Sequence, residues 1–219
     1  SCKMVDALKA NIQELLSERR FDPTIAGDLE SYVEEQVKQD FYDLDANLAL
    51  LRFYQYSPAT AKMPTISKIL MKALMEMPGT DFMLCMYLIP VTTQKDASIE
   101  TLKTLADKLE SCMFKQFWTE AASAKALIGT IPRFEECIRK YIVTIVAATY
   151  QVISKEELEG YLNQSGGELD KTIAAKKWSL EGPDVKVPLN EYNGASVKLK
   201  QQESISFEQL APIIVGTAL

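Results

Sequence analysis

The chain has 219 residues, with 24 Lys+Arg against 30 Asp+Glu for a formal net charge of -6, 47% hydrophobic residues, four Cys and no His. This is an ordinary globular composition, long enough for one large domain or two small ones, and it excludes both a disordered chain and a collagen-like fibre. Without an imidazole base, Ser-His-Asp and Cys-His nucleophilic sites are excluded, as are most catalytic zinc sites.

Val5, Leu8, Ile12, Leu15 and Leu16 recur at steps of three and four, which places them on one face of a first helix. Asp22-Pro23 is a start signal, an acidic N-cap before a proline, for a second helix carrying Leu29, Tyr32, Val33 and Val37. A third begins near Asp43 with Leu44, Leu48, Leu51 and Tyr54, and Ser57-Pro58 interrupts it. Pro64-Thr65 opens a fourth with Ile66, Ile69, Leu70, Ala73 and Leu74, which Pro78-Gly79 ends. Residues 82–89 are apolar all round, which predicts a helix in the middle of the domain. Ile99, Leu102, Leu105, Ala106 and Leu109 follow at helical spacing, then Phe114, Phe117, Trp118 and Ala121. After a break at 129–132, Phe134, Ile138, Tyr141, Ile142, Ile145 and Thr149 form the longest stripe. Paired, these helices start near residues 4, 43, 81 and 115, the spacing of a degenerate helical-repeat domain, although no tetratricopeptide or ankyrin consensus is present.

The pattern changes after Tyr150. Ser154 and Glu157 make an S-x-x-E capping box for a short helix through Leu158, Tyr161 and Leu162, and 165–167 turn the chain. A second short helix runs from Glu168 to about Trp178 with Leu169, Ile173 and Ala174 inward. Val185, Val187 and Leu189, then Val197 and Leu199, alternate with polar residues or proline and predict two strands joined around Asn193-Gly194, with Pro188 at an edge. A long helix, two short helices and a hairpin are the order of a winged helix. Phe207, Leu210, Ile213 and Ile214 suggest a terminal helical turn or a patch awaiting a partner.

A winged helix raises nucleic acid, because its second short helix can enter a major groove. Lys171, Lys176 and Lys177 lie on or beside that helix, but from residue 131 to the end there are 10 Lys+Arg against 12 Asp+Glu, and Glu168 and Asp170 lead it. Such a surface suits a protein contact better than phosphate. The other chemical candidates have plainer readings. Asp43 with Asp45, and Glu135 with Glu136, sit at predicted helix starts, where acids complement the dipole. Phe53, Tyr54 and Tyr56, with Phe117 and Trp118, are at core spacing, and the methionines from Met71 to Met86 fill gaps or form an adaptable surface. Cys85, Cys112 and Cys137 lie in apolar stretches without a C-x-x-C pair, so they read as packing residues and no metal is expected. Neither phosphate-cradling glycine motif occurs, so no cofactor is expected. No Arg-rich leader or apolar signal core precedes the first helix, and the uncharged stretch 141–154 is shorter than the ~18–20 residues of a membrane span. The expected compartment is the cytosol or nucleus.

YDLDANLALLRFYQYSP at 42–58, TDFMLC at 80–85 and FEECIRKYIVTIVAATYQVIS at 134–154, with Phe117-Trp118 and Lys177-Trp178, closely resemble the subunit K family of eukaryotic translation initiation factor 3, in the same order across 4–214. The resemblance implies a mainly α protein in a PCI-like arrangement: a helical-repeat (HEAT-like) domain at 4–130, then a winged-helix domain with a C-terminal tail at 131–214. It implies a noncatalytic subunit of a complex that binds the small ribosomal subunit, with subunits L and E as the expected partners, L the nearest, and no catalytic residues to carry across. It is weakest over 180–194. The expected contact residues are the hairpin positions Val185, Val187, Leu189, Val197 and Leu199, pairing with a partner's sheet, and the tail around Phe207, Leu210, Ile213 and Ile214. The alternative is that both close the chain's own core. The rival reading is a winged-helix nucleic-acid-binding regulator using Lys171, Lys176 and Lys177.

Overall fold

The structure is a computed structural model that describes residues 2–20 and 22–194, with side chains from residue 5 onward. Helices dominate it: α1 (Cys2–Arg19), α2 (Ala26–Lys38), α3 (Leu44–Tyr56), α4 (Met63–Met75), α5 (Asp81–Leu88), α6 (Ala97–Glu110), α7 (Phe114–Ser123), a single turn α8 (Lys125–Ile128) and α9 (Phe134–Thr149). After α9 come β1 (Val152–Ser154), α10 (Lys155–Leu162), α11 (Gly167–Ala175), β2 (Ser179–Glu181) and β3 (Asp184–Lys186). None of these helices is long and apolar enough to cross a membrane.

The start signals act as the sequence predicts. Asp22 caps a short 3-10 turn leading into α2 by accepting from the Thr24 amide at 2.9 Å, and Asp43 caps α3 by accepting from the Ala46 amide at 3.3 Å. Ser154 Oγ accepts from the Glu157 amide at 3.3 Å at the head of α10. Four helix ends close in one way. Asp40, Cys112, Asn163 and Lys177 hold left-handed φ values of 51°, 56°, 47° and 57°, and the next amide in each case reaches back five residues, to Gln36, Lys108, Glu159 and Ile173. These are Schellman closures made without glycine.

One hydrophobic cluster runs through the described chain, from Ile12 to Val187. Leu50, Leu70, Leu74, Leu102, Phe117 and Ile142 are among its fully buried members, each on the apolar stripe of its helix. Between α2 and α3 the core carries a polar lock. Gln36 Nε2 donates to Asn47 Oδ1 at 2.9 Å, Asn47 Nδ2 donates back to Gln36 Oε1 at 3.2 Å, and Tyr32 donates to Asp43 at 3.0 Å. Lys72, buried on α4, pairs with Asp40 at 3.2 Å, and Asp40 also accepts from Arg133 at 2.6 Å, so the α2 terminus joins α4 to the start of α9.

Several expectations need correction. Tyr56, at core spacing in the sequence, is exposed at the end of α3. Helix α5 is not in the middle of the domain: Phe82 and Cys85 are buried, but Met83, Leu84 and Tyr87 are exposed, because α3 and α4 cover only one side of it. Cys112 is exposed rather than packed, since it ends a helix in the left-handed region. The β2-β3 hairpin turns at Gly182-Pro183, and the strand expected after Asn193-Gly194, with Val197 and Leu199, lies outside the described residues. Gly182, with φ 66°, takes the first position of a two-residue loop, where glycine is favoured. Finally, β1 is a strand that the helical pattern of its surroundings concealed.

Candidate interaction site

The three strands form an antiparallel sheet in the order β1-β3-β2, with Ile153, Val185 and Leu180 in one row across it. Ile153 and Val185 are buried with Leu158 and Leu162 of α10 and with Leu169 and Ile173 of α11. Trp178, held at the end of α11 by the hydrogen bond from its amide to the Ile173 carbonyl, joins them. The strand that carries Val185 is therefore central, with neighbours on both sides, and Val185 and Val187 face the chain's own core. Neither is available for edge pairing with another chain. The edges are β1 and β2, and their exposed apolar residues are Val152 and Leu180.

Beyond β3 the chain is held by two asparagines. Asn193 donates to the carbonyls of Tyr150 and Pro188, both at 3.0 Å, and accepts from the Asn190 amide at 2.7 Å. Asn190 donates to the Ala147 carbonyl at 2.7 Å and accepts from the amides of Tyr192 and Asn193. The segment is thereby fixed to the end of α9, which turns Leu189 and Tyr192 outward at 73% and 78% exposure. Of the five hairpin positions expected at a contact, Leu189 is exposed, Val185 and Val187 are buried, and Val197 and Leu199 lie outside the described residues, as do Phe207, Leu210, Ile213 and Ile214. Leu180 and Tyr192 went unrecognised because neither belongs to an apolar period.

Lys171, in the middle of α11, and Lys176 and Lys177, just past its end, are all exposed. Lys177 occupies the left-handed closing position of the helix, and Asp170 on the same helix binds Lys155 at 3.0 Å. Two acids lead the helix and the lysines follow, so among the described residues its surface carries both signs rather than one basic face.

The sheet end is locked to the helical part through α7 and α10. Trp118 donates its indole N–H to the Tyr161 carbonyl at 2.8 Å, Arg139 donates to the Leu162 carbonyl at 3.1 Å, and the Arg139 guanidinium lies 5.1 Å from the Trp118 ring centre. Lys115 of α7 lies over Gly160, where a Cβ would displace the end of its flexible side chain. The Tyr161 hydroxyl sits 3.3 Å from that of Tyr150, and this bond, with partial burial, raises its pKa.

A groove of about 520 Å³ opens beside this seam; of its charged lining residues, Arg133 and Glu136 pair with each other and Glu135 pairs with Arg139. Glu136 also binds Lys140 at 2.9 Å, and the bonds from Arg133 and Lys140 lower its carboxyl to about 2. Burial pushes the Cys85 thiol up to about 12, well outside the range of a nucleophilic cysteine. Among the described residues no group of three or more Cys, Asp or Glu side chains is placed to hold a metal ion.

Comparison with known proteins gives these features a lineage. Residues 60–198 match the CSN8/PSMD8/EIF3K family. The chain is 36% identical over 218 residues to the eukaryotic translation initiation factor 3 subunit K of Nematostella vectensis, covering 97% of this chain and 99% of the relative. It is 34% identical over 218 residues to the human protein of that name, covering 98% and 99%, and 40% identical over 151 residues to the Xenopus tropicalis one, covering 68% and 69%. The likeness spans both the helical part and the sheet end, so the chain belongs to the CSN8/PSMD8/EIF3K family, within its translation initiation factor 3 subunit K group.

Proposed function

We propose that the chain is a noncatalytic subunit of translation initiation factor 3, supporting assembly of that complex on the small ribosomal subunit by burying surface against sister subunits. In this reading residues 4–130 form a HEAT-like helical-repeat domain and 131–214 a winged-helix domain with a tail, arranged as in PCI modules. The order α9-β1-α10-α11-β2-β3 with a three-stranded antiparallel sheet supports the second assignment. Its compartment is the cytoplasm, with access to the nucleus.

The observation that carries the reading is the outer edge of β2. Among the described residues it pairs with nothing, and its central residue Leu180 is 47% exposed although it lies in register with the buried Ile153 and Val185. A strand edge with unused amides and carbonyls takes another strand readily. Of the sister subunits L and E, L is the proposed neighbour at this edge and E lies close by. The exposed Leu189 and the apolar tail at 207–214 add contact area.

Co-purification of the chain with subunits L and E, with Leu180→Lys compared to the unaltered chain, tests this. Loss of L from the Leu180→Lys complex, with the helical circular dichroism unchanged, is the expected result. Crosslinks to L confined to residues 5–130 would move the interface away from the sheet. Direct nucleic-acid reading is disfavoured by the mixed charge of α11, and an unshifted duplex at about 0.15 M salt is expected.

A further inference from the structure

The helical part carries a second apolar surface, apart from the sheet end. On α5 the residues facing solvent are Met83, Leu84 and Tyr87, 46%, 41% and 73% exposed, while the opposite side buries Phe82 and Cys85. At 100° per residue the exposed three span one arc of about 100° with no polar side chain between them. On the neighbouring α6 the solvent side is polar instead, with Glu100, Lys103 and Asp107 exposed. Between α5 and α6 runs a groove of about 220 Å³, walled by Met83, Met86 and Tyr87 on one side and by Lys103, Asp107 and Glu110 on the other.

The border of this face decides what it fits. Asp107 and Glu110 stand along its α6 wall against Lys103, and none of these three makes an ion pair among the described residues. A second copy of the chain would set acid against acid. The chain's own apolar tail fits no better, because residues 201–219 contain Glu203 and Glu208 and neither Lys nor Arg. Two methionines lining an apolar groove give a surface that repacks around different side chains.

We propose that the α5–α6 face docks a short basic amphipathic helix of another protein, its aliphatic stripe lying over Met83, Leu84 and Tyr87 and its flanking Lys or Arg residues meeting Asp107 and Glu110. The proposal is independent of strand pairing at β2.

The test uses the full chain and two labelled peptides of about 16 residues that share a leucine stripe at i, i+3, i+4 and i+7 and differ only in flanks of Lys or of Glu. By fluorescence anisotropy the Lys peptide binds at least about tenfold more tightly than the Glu peptide, and the gap narrows as salt rises. Tyr87→Ser and Leu84→Ser, both at exposed positions, each weaken the Lys peptide about tenfold with circular dichroism unchanged. Asp107→Lys combined with Glu110→Lys reverses the preference. Equal affinity for the two peptides, no binding of either, or indifference to these substitutions overturns the proposal. So does a dimer of the chain that Tyr87→Ser dissolves, which would assign the face to a second copy. A crosslink from position 87 to 207–214 of the same chain, assigning it to the tail, would overturn it too.

Discussion

The indole N–H of Trp118 and the backbone carbonyl of Tyr161, 43 positions apart in sequence, meet at 2.8 Å and tie α7 to the last turn of α10. The bond is part-buried, and the Arg139 guanidinium covers the same ring. Trp118→Phe keeps an aromatic ring but leaves the carbonyl without its donor. Urea unfolding followed by circular dichroism is expected to show a loss of about 1–3 kcal/mol with an unchanged m-value. A loss below about 0.3 kcal/mol would mean that water replaces the indole and the seam is loose.

The reciprocal amide pair of Gln36 and Asn47 is buried on both sides. Gln36→Leu strands the Asn47 amide and also removes the acceptor of the Asp43 amide, so it should cost about 2–3 kcal/mol. Gln36→Leu with Asn47→Leu should cost less than the sum of the singles, with a coupling of about 0.5–3 kcal/mol in a double-mutant cycle. Strict additivity would show that the two amides act independently.

Lys177 and Cys112 hold left-handed φ values that glycine adopts without strain. Lys177→Gly and Cys112→Gly should each raise stability by about 0.5 kcal/mol, the relief of strain exceeding the entropy gained by the unfolded chain. Thermal unfolding of each variant measures this, and destabilisation by either would show that its side chain makes a contact worth more than the strain.

The three described cysteines differ in access. Cys112 is exposed, Cys137 intermediate, and Cys85 fully buried. Iodoacetamide with peptide mapping should label Cys112 first and Cys85 only on unfolding. Because the Cys85 thiol is raised from 9.0 to about 12 by burial, the folded state holds its proton more tightly than the unfolded one. The resulting stability is complete below pH 9.0 and falls as the pH rises from there through about 12. Cys85→Ala should remove that alkaline dependence.

Glu136 titrates in the opposite sense. Its carboxyl is lowered from 4.5 to about 2 by the bonds from Arg133 and Lys140, so its contribution is present above 4.5 and is lost as the pH falls through about 2. An NMR titration of its side chain should give a midpoint near 2, and Arg133→Gln should move it back toward 4.5.

The helical part was legible because each helix spells its own period and its own cap. Leu29, Leu70, Leu102 and Ile142 are buried where the spacing places them, and Asp43 and Ser154 cap where the polar signal stands. The short strands were harder to read. Three residues hold too few alternations to declare a strand, and β1 is defined only by its partner β3, more than 30 residues later. Asn193-Gly194 carries a strong turn signal, yet Asn193 spends its side chain on Tyr150 and Pro188, while Gly182-Pro183 makes the β2-β3 turn.

The helices, the lack of any imidazole chemistry and the family resemblance are carried by neighbouring residues, because periodicity, capping and composition are local properties. Tertiary structure decided which apolar residues remain in water. Val185 and Leu180 are equally apolar and stand side by side in one row, but among the described residues Val185 has a strand on each side and Leu180 a strand on one. Phe82 and Met83 are adjacent on one helix, and α3 and α4 cover only the first. Exposure belongs to the packing around a side chain, and that is set by segments far away in the chain.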